Sequence, residues 1–499
     1  MKFRTRVNIL TGGAKFNFES SRVYWTVGLL VFLELANTLL IGSPLNLALT
    51  FPEVVYVFFL LFVKNDTKNA LLYHVLFSLT GFDATFSDTE VQLYSYPEVK
   101  LYGPLTVSYI ILGLIWIRAI TIPISKEIKL TLLYKFRKII LIIMLYGVIV
   151  GFFGILIDGY RFGDFITPFV YIFIGFVFLD IVIKLYDKVF LEKCYGYAFC
   201  LLVASPIATF VSFFLLHISV EYSVYETLIS NEVFGFCPIL ILFMVFVEKN
   251  NKLLLYIGLV AYFICVLTAG RGGTFLDIAA SFAIIAYIVY FKRGIIRSFY
   301  RKLLFIGIPL AIIGIISYSQ IMDVGSNLAT VKISELFSMF QALGTMSSSG
   351  LDISGISESP YVRIAEVLNV LDNGLHNIFG LLFGYGYGGY YTDSTHLFEA
   401  VPLTGAFPQE YINTGRYGAA HSFMPTLLLY NGVIGLIMTS VMCIRYLKNI
   451  KYTPLVFAAF NLFFHSFYFN TSIIMCAAFL LFAAESRIEY KTNIIVKCK

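Results

Sequence analysis

Four arginines stand out in this 499-residue chain because of where they fall. Arg161 lies in the short turn Asp158-Gly159-Tyr160-Arg161-Phe162-Gly163-Asp164, and Arg271 in the tighter turn Ala269-Gly270-Arg271-Gly272-Gly273. Arg363 opens the helical pattern Tyr361-Val362-Arg363-Ile364-Ala365-Glu366, and Arg416 precedes His421 by five residues. A guanidinium at the end of an apolar stretch is costly unless it is paired or solvated. Its planar fork suits phosphate, which it grips through two parallel hydrogen bonds. The glycines around Arg271 leave amide N–H groups open toward an anion. Plainer readings stand beside this one: an ion pair of Arg161 with Asp158 or Asp164, of Arg271 with an outer acid, and of Arg363 with Glu366 one turn on.

His421, followed by Ser422 at the mouth of an apolar run, is the candidate general base, since neutral imidazole suits that task near neutral pH. His74, His217 and His465 are lone residues at apolar stretches, and His376 and His396 lie in loop sequence without a motif. The run Phe383-Gly384-Tyr385-Gly386-Tyr387-Gly388-Gly389-Tyr390-Tyr391 contains a literal GxGxxG. A dinucleotide site needs a preceding strand and a βαβ unit, which this stretch lacks. Tyr385, Tyr387 and Tyr390 alternating with glycine suit the flat face of a sugar, and equally suit a plain loop. No compact set of metal ligands is visible, and the seven cysteines read as small apolar residues.

The elements that must carry these residues follow from composition. Apolar residues make up 59% of the chain and charged residues 13%, with mean hydropathy +0.83. A soluble enzyme, a disordered chain and a disulfide scaffold are excluded, because a soluble fold must cover its outside with polar surface. Continuous apolar runs of about 20 residues predict an all-α polytopic membrane protein and exclude a β-barrel. About fourteen spans are expected, near 22–41, 45–63, 70–86, 104–122, 139–157, 166–184, 195–215, 233–247, 253–269, 274–291, 303–320, 421–443, 454–470 and 472–484. Thirty of the 36 basic residues then fall on one side, which predicts a cytoplasmic location for that side and for both termini. The net charge of +6 combines a basic inner face with an acidic outer one, and implies anionic lipid heads, not nucleic acid. Residues 321–420 form a long outer connection, with helices expected at 326–340 and 360–372. Three regions result: a bundle over 1–320, the outer loop over 321–420, and further spans with a tail over 421–499.

With these segments assembled, the chain resembles the O-antigen polymerase and ligase superfamily of bacterial inner-membrane glycosyltransferases. Gly270-Arg271-Gly272-Gly273 is similar to an outer arginine loop of that family. Arg363, ten residues, then Gly374 is similar to the RX10G pattern of its polymerases. His421-Ser422, nine residues, then Gly432-Val433-Ile434-Gly435 is similar to the H[NSQ]X9GXX[GTY] pattern of its ligases. The resemblance implies a GT-C-like fold with a large, partly helical periplasmic loop. It implies an enzyme moving a glycan from undecaprenyl diphosphate to the non-reducing end of a lipid-linked repeat unit, without metal or cofactor. Arg161, Arg271, Arg363 and Arg416 would hold the diphosphate, and His421 would be the base, with Glu366 or Glu410 as substitutes. Partners implied are the lipid-linked oligosaccharide, membrane lipids and a chain-length-regulating co-polymerase. A ligase acting on lipid A–core, or a transporter of the same lipid-linked sugar, are the alternatives.

Overall fold

A computed structural model describes residues 20–81, 93–102, 105–124, 128–222, 225–241, 252–269, 358–400, 403, 407, 409–418, 420, 423–447 and 471–485. The described chain is mostly helical. The helices are α1 (Ser20–Leu39), α2 (Leu47–Phe58), α3 (Thr67–Thr80), α4 (Val107–Ile120), α5 (Leu132–Phe153), α6 (Phe162–Lys184) and α7 (Lys188–Phe210). They continue with α8 (Glu232–Phe236), α9 (Lys252–Ala269), α10 (Glu358–His376), α11 (Ile378–Phe383), α12 (Gln409–Thr414), α13 (Phe423–Leu447) and α14 (Thr471–Glu485).

Among the described residues, four helical segments are long and apolar enough to cross a membrane, namely Pro44–Val63, Leu133–Asp158, Phe162–Lys184 and Lys188–Leu215. This is the architecture of a multi-pass membrane protein. Their outward side chains are apolar as well, with Phe51, Val63, Ile157 and Val189 all at least 69% exposed. A soluble bundle would put charge there, whereas a span in lipid needs none. Three of these segments end in a single π-helical turn, over Phe59–Val63, Gly154–Asp158 and Val211–Leu215.

The expected spans and the helices agree closely for α1, α2, α6, α9 and α14, whereas α7 starts at Lys188, ahead of the run expected from 195. At 14 residues each, α3 and α4 are about 21 Å long, short of a hydrocarbon core of about 30 Å. The expected runs 70–86 and 104–122 therefore overstate them. Gly81 ends α3 in extended backbone with Pro97 packed against it, and a two-residue strand occupies the start of the second run. The expected spans at 274–291, 303–320 and 454–470, and the expected helix at 326–340, lie outside the described residues.

Among the described residues, two antiparallel hairpins qualify the all-α expectation. One pairs β1 (Lys100–Tyr102) with β2 (Leu105–Thr106), and the other pairs β3 (Ser219–Tyr222) with β4 (Tyr225–Leu228). Both occupy connections between helices, where short β-rich runs such as Ser219–Leu228 close on themselves.

Helix α7 is a hub, packing on α1, α3, α8, α9 and α14, and α14 in turn reaches α3, α5, α6 and α8. The basic turns meet at one end of the bundle. Lys68 bonds Asp187 at 3.2 Å, Arg118 bonds Asn65, Lys193 bonds Asn69, and Lys184 donates to Ile120 O at 2.9 Å. One charge network lies deeper. Asp180 on α6 accepts from Arg137 of α5 at 2.7 and 2.8 Å and from Trp116 Nε1 of α4 at 2.8 Å, with Lys184 at 3.6 Å. Asp180 is 3% exposed, so this cluster fastens three helices from the inside.

Candidate functional site at the capped end of the bundle

The opposite end is capped by the described residues between 358 and 420, and the cap is fastened to the bundle by the glycine–tyrosine run. Gly384, Gly386 and Gly388 have φ of +82°, +69° and +86°, left-handed backbone that favours glycine. This geometry drives the chain inward between α5 and α13. Tyr385 N donates to Leu429 O at 2.7 Å, Gly386 N to Tyr430 O at 3.0 Å, and Tyr387 N to Gly147 O at 3.3 Å. Those carbonyls on α13 are open because the helix breaks at Gly432, which has φ +64° and ψ −173°. A Cβ on Gly432 would collide with Gly384 N and Leu382 O. The glycine of the second sequence pattern is thus the place where the cap docks. Gly374, closing the first pattern, is similarly tight, with a Cβ there 2.9 Å from Leu381.

Tyr387 was a candidate sugar platform, and the structure corrects this. Its ring is fully buried, 5.6 Å from Tyr430 and 6.2 Å from Phe165, above Gly147 and Gly151 of α5. Those two glycines make a notch that a larger residue would fill, so Tyr387 is a packing plug with no face for a ligand. Tyr385 is half-buried and spends its hydroxyl on Asn373 O at 3.0 Å. Tyr390 is the ring that reaches the rim. It stands edge-on to Tyr160 at 5.8 Å, with the Arg416 guanidinium over it at 4.7 Å.

Arg416 is delivered by an isolated antiparallel bridge. Tyr391 and Tyr417 exchange two backbone hydrogen bonds, of 3.1 and 2.9 Å, and stack with centroids 5.4 Å apart. Phe398 and Phe407 complete an aromatic core within the cap, at 4.9 and 4.7 Å from Tyr417. Tyr430 of α13 donates to Gly418 O, tying this core to the membrane helices.

Arg161 comes to the same rim. Its pairing partner is Glu410 on α12, 3.4 Å away, instead of the Asp158 or Asp164 of its own turn. Both side chains are 69% exposed, so the pair is open to solvent and weak, worth a fraction of a kcal/mol. Burial, with Asp158 beside it, pushes the Tyr160 phenol well above its ordinary value. Burial and then Asp164 and Glu410 do the same to Tyr411.

The other expected residues fall differently. Glu366 is fully buried within the cap, and after burial itself its charge is the first contribution raising the Tyr391 phenol. It lies inside the cap, whereas Glu410 lies on the open surface. Arg363 is exposed on α10. That helix runs further than expected, over Glu358–His376 instead of 360–372. Arg271 and His421 lie outside the described residues. Among the described residues no group of three or more His, Cys, Asp or Glu is placed to hold a metal ion, and five cysteines are free and buried.

Two residues of this region escape sequence reasoning. Tyr160 is one of 34 tyrosines and carries no signal of its own, although its turn is singled out by Arg161. Asn373 organises the polar side of the cap. Its side chain donates to Thr392 O and Ser394 Oγ and accepts from Thr392, at 2.8–3.1 Å. No protein-family model, curated protein or solved structure matches this chain.

Proposed function

We propose that this chain is a membrane glycosyltransferase of the O-antigen polymerase type. It moves a growing glycan from undecaprenyl diphosphate to the non-reducing end of an incoming lipid-linked repeat unit. In this reading the capped end faces the periplasm, the basic end the cytoplasm, and the chain crosses the bacterial inner membrane about fourteen times with a GT-C-like arrangement. The observation that carries it is the meeting of Arg161, Arg416, Tyr390, Tyr160 and Glu410 on one rim, with Arg161 and its partner Glu410 249 residues apart in the chain.

The chemistry follows from charge. An acceptor hydroxyl attacks the anomeric carbon, the bond from that carbon to the diphosphate oxygen breaks, and negative charge grows on the leaving diphosphate. Arg161 and Arg416 supply positive charge at the rim, Arg271 and Arg363 are assigned the same role from their sequence patterns alone, and together they would stabilise the charge as it develops. They serve where a divalent metal would serve in other glycosyl transfers. The hydroxyl proton passes to a base, His421 first and Glu410 in its place, and direct displacement inverts the anomeric centre. Tyr390, the tyrosine of the run that reaches the rim, is the ring assigned to meet a sugar beside Arg416. A chain-length-regulating co-polymerase is the partner this activity calls for.

Purified protein incubated in detergent with lipid-linked repeat units is expected to make polymer. Arg161→Ala and Arg416→Ala are each expected to lower the rate by about a hundredfold, as loss of an electrostatic donor does. Full activity of both folded variants overturns the diphosphate role. The His421-Ser422…Gly432 spacing favours a ligase as the second reading, and deletion separates the two. Loss of a polymerase leaves single repeat units on the cell surface, whereas loss of a ligase leaves none. Absence of turnover together with transbilayer movement of the lipid-linked sugar indicates a transporter instead.

A further inference from the structure

Val367, Leu371 and Leu375 on α10 and Ile378, Phe379 and Leu382 on α11 recur every one to four residues along the chain and are all exposed, Phe379 to 73% and Leu375 to 67%. Such a ridge facing water would be a contiguous apolar patch of the kind soluble surfaces avoid. Its height against α5 decides what surrounds it. Phe383 O accepts from the Tyr146 hydroxyl at 3.0 Å, and Tyr387 N donates to Gly147 O at 3.3 Å. Both contacts fall inside the apolar membrane-length segment Leu133–Asp158. From Gly147 the segment climbs eleven more residues to Asp158, about 16 Å at 1.5 Å per residue. Over that climb Phe152, Phe153, Leu156 and Ile157 still point outward, each at least 56% exposed. Helix α13 reports a similar depth, because the docking break at Gly432 lies nine residues, about 14 Å, in from Phe423. Half of a hydrocarbon core is about 15 Å.

We propose that α10–α11 is a re-entrant segment whose apolar ridge lies in the acyl chains of the leaflet on which the Tyr390–Arg416 rim opens. Backbone at that depth must be satisfied within protein. The exit from α11 meets that condition, since the N–H groups of Tyr385, Gly386 and Tyr387 bond the carbonyls of α13 and α5. The polar side of α10 turns to the cap, where Asn369 bonds Asp393 and Thr395 and Asn373 bonds Thr392 and Ser394. The two faces of α10–α11 thus divide as those of an interfacial helix do. The inference concerns placement in lipid and stands apart from the glycosyl-transfer reading.

The test uses the full chain in vesicles of phosphatidylcholine and phosphatidylglycerol, spin-labelled at Phe379→Cys, with Leu375→Cys as a second site and Thr392→Cys as the exposed cap control. The unsubstituted protein gives the background of its own cysteines. Collision of the label with molecular oxygen, which concentrates in lipid, is compared with collision with a water-soluble nickel chelate. The oxygen-to-nickel ratio is expected to be about tenfold higher at 379 and 375 than at 392. An equal ratio at all three positions means that the ridge faces water and overturns the proposal. A label at 379 and 375 shielded from both reagents means that protein, such as a second copy of the chain, covers the ridge, and overturns it equally.

Discussion

Replacing Gly386 by alanine is the sharpest perturbation the fold offers. Gly386 has φ +69°, and a Cβ there would lie 2.5 Å from the Val150 carbonyl carbon and closer still to the backbone of Gly151. These are backbone atoms of the last turn of α5, so no side chain can rotate away. Left-handed backbone costs an alanine about 1–2 kcal/mol, and overpacking about 1–3 kcal/mol, together about 2–5 kcal/mol. The cost falls on the seat of the cap, where the amides of Tyr385, Gly386 and Tyr387 bond Leu429, Tyr430 and Gly147. Native-state hydrogen exchange reads local opening directly. With about 1.4 kcal/mol per factor of ten, exchange at Tyr385 and Tyr387 is expected to quicken by roughly thirtyfold to a few thousandfold. Gly159→Ala is the matched control. It has the same φ of +69° with nothing within 4 Å of the new Cβ, and it is expected to leave exchange at 385 and 387 unchanged. If Gly386→Ala also leaves those amides protected, the run is not seated on α5, and the docking of the cap is wrong.

Asp180→Ala leaves Arg137 and Lys184, only 18% and 9% exposed, without their carboxylate, and is expected to cost about 3–5 kcal/mol, read as a lower thermal midpoint in detergent. The Asp187 carboxyl is held below the ordinary 3.8 chiefly by its hydrogen bond from Lys68. A depressed native value means that the contribution is whole above about pH 4 and is lost as pH falls through the lower native value. With both partners more than 40% exposed, the contribution is a fraction of a kcal/mol, and Lys68→Met is expected to remove that part of the acid limb of a stability–pH curve.

Some of this protein is legible in the sequence. The bounds of α1, α9 and α14 follow from apolar runs ended by charge, because lipid contact demands continuous apolarity whatever the neighbours are. The helix around Arg363 is foreshadowed by Ser359-Pro360 at its start, and its end is missed by a few residues because Asn373 and His376 continue the turn. Buried cysteines 194, 200, 237, 265 and 476 follow from their apolar surroundings. The hairpin Ser219–Leu228 is not anticipated, since a ten-residue connection is too short to show strand periodicity convincingly.

The candidate site divides along the same line. That Arg161 and Arg416 fall on the same side of the chain's apolar runs is an expectation from the alternation of spans and basic turns, a one-dimensional pattern. That Arg161 meets Glu410, that Tyr390 stands between Tyr160 and Arg416, and that Tyr387 turns inward are decisions of the tertiary structure. Tyr385, Tyr387 and Tyr390 have like neighbours along the chain. What separates them is a notch at Gly147 and Gly151 and a broken helix at Gly432, both remote in sequence. Local backbone and solvent preferences are written residue by residue, whereas a contact across hundreds of residues exists only once the surfaces that make it have been brought together.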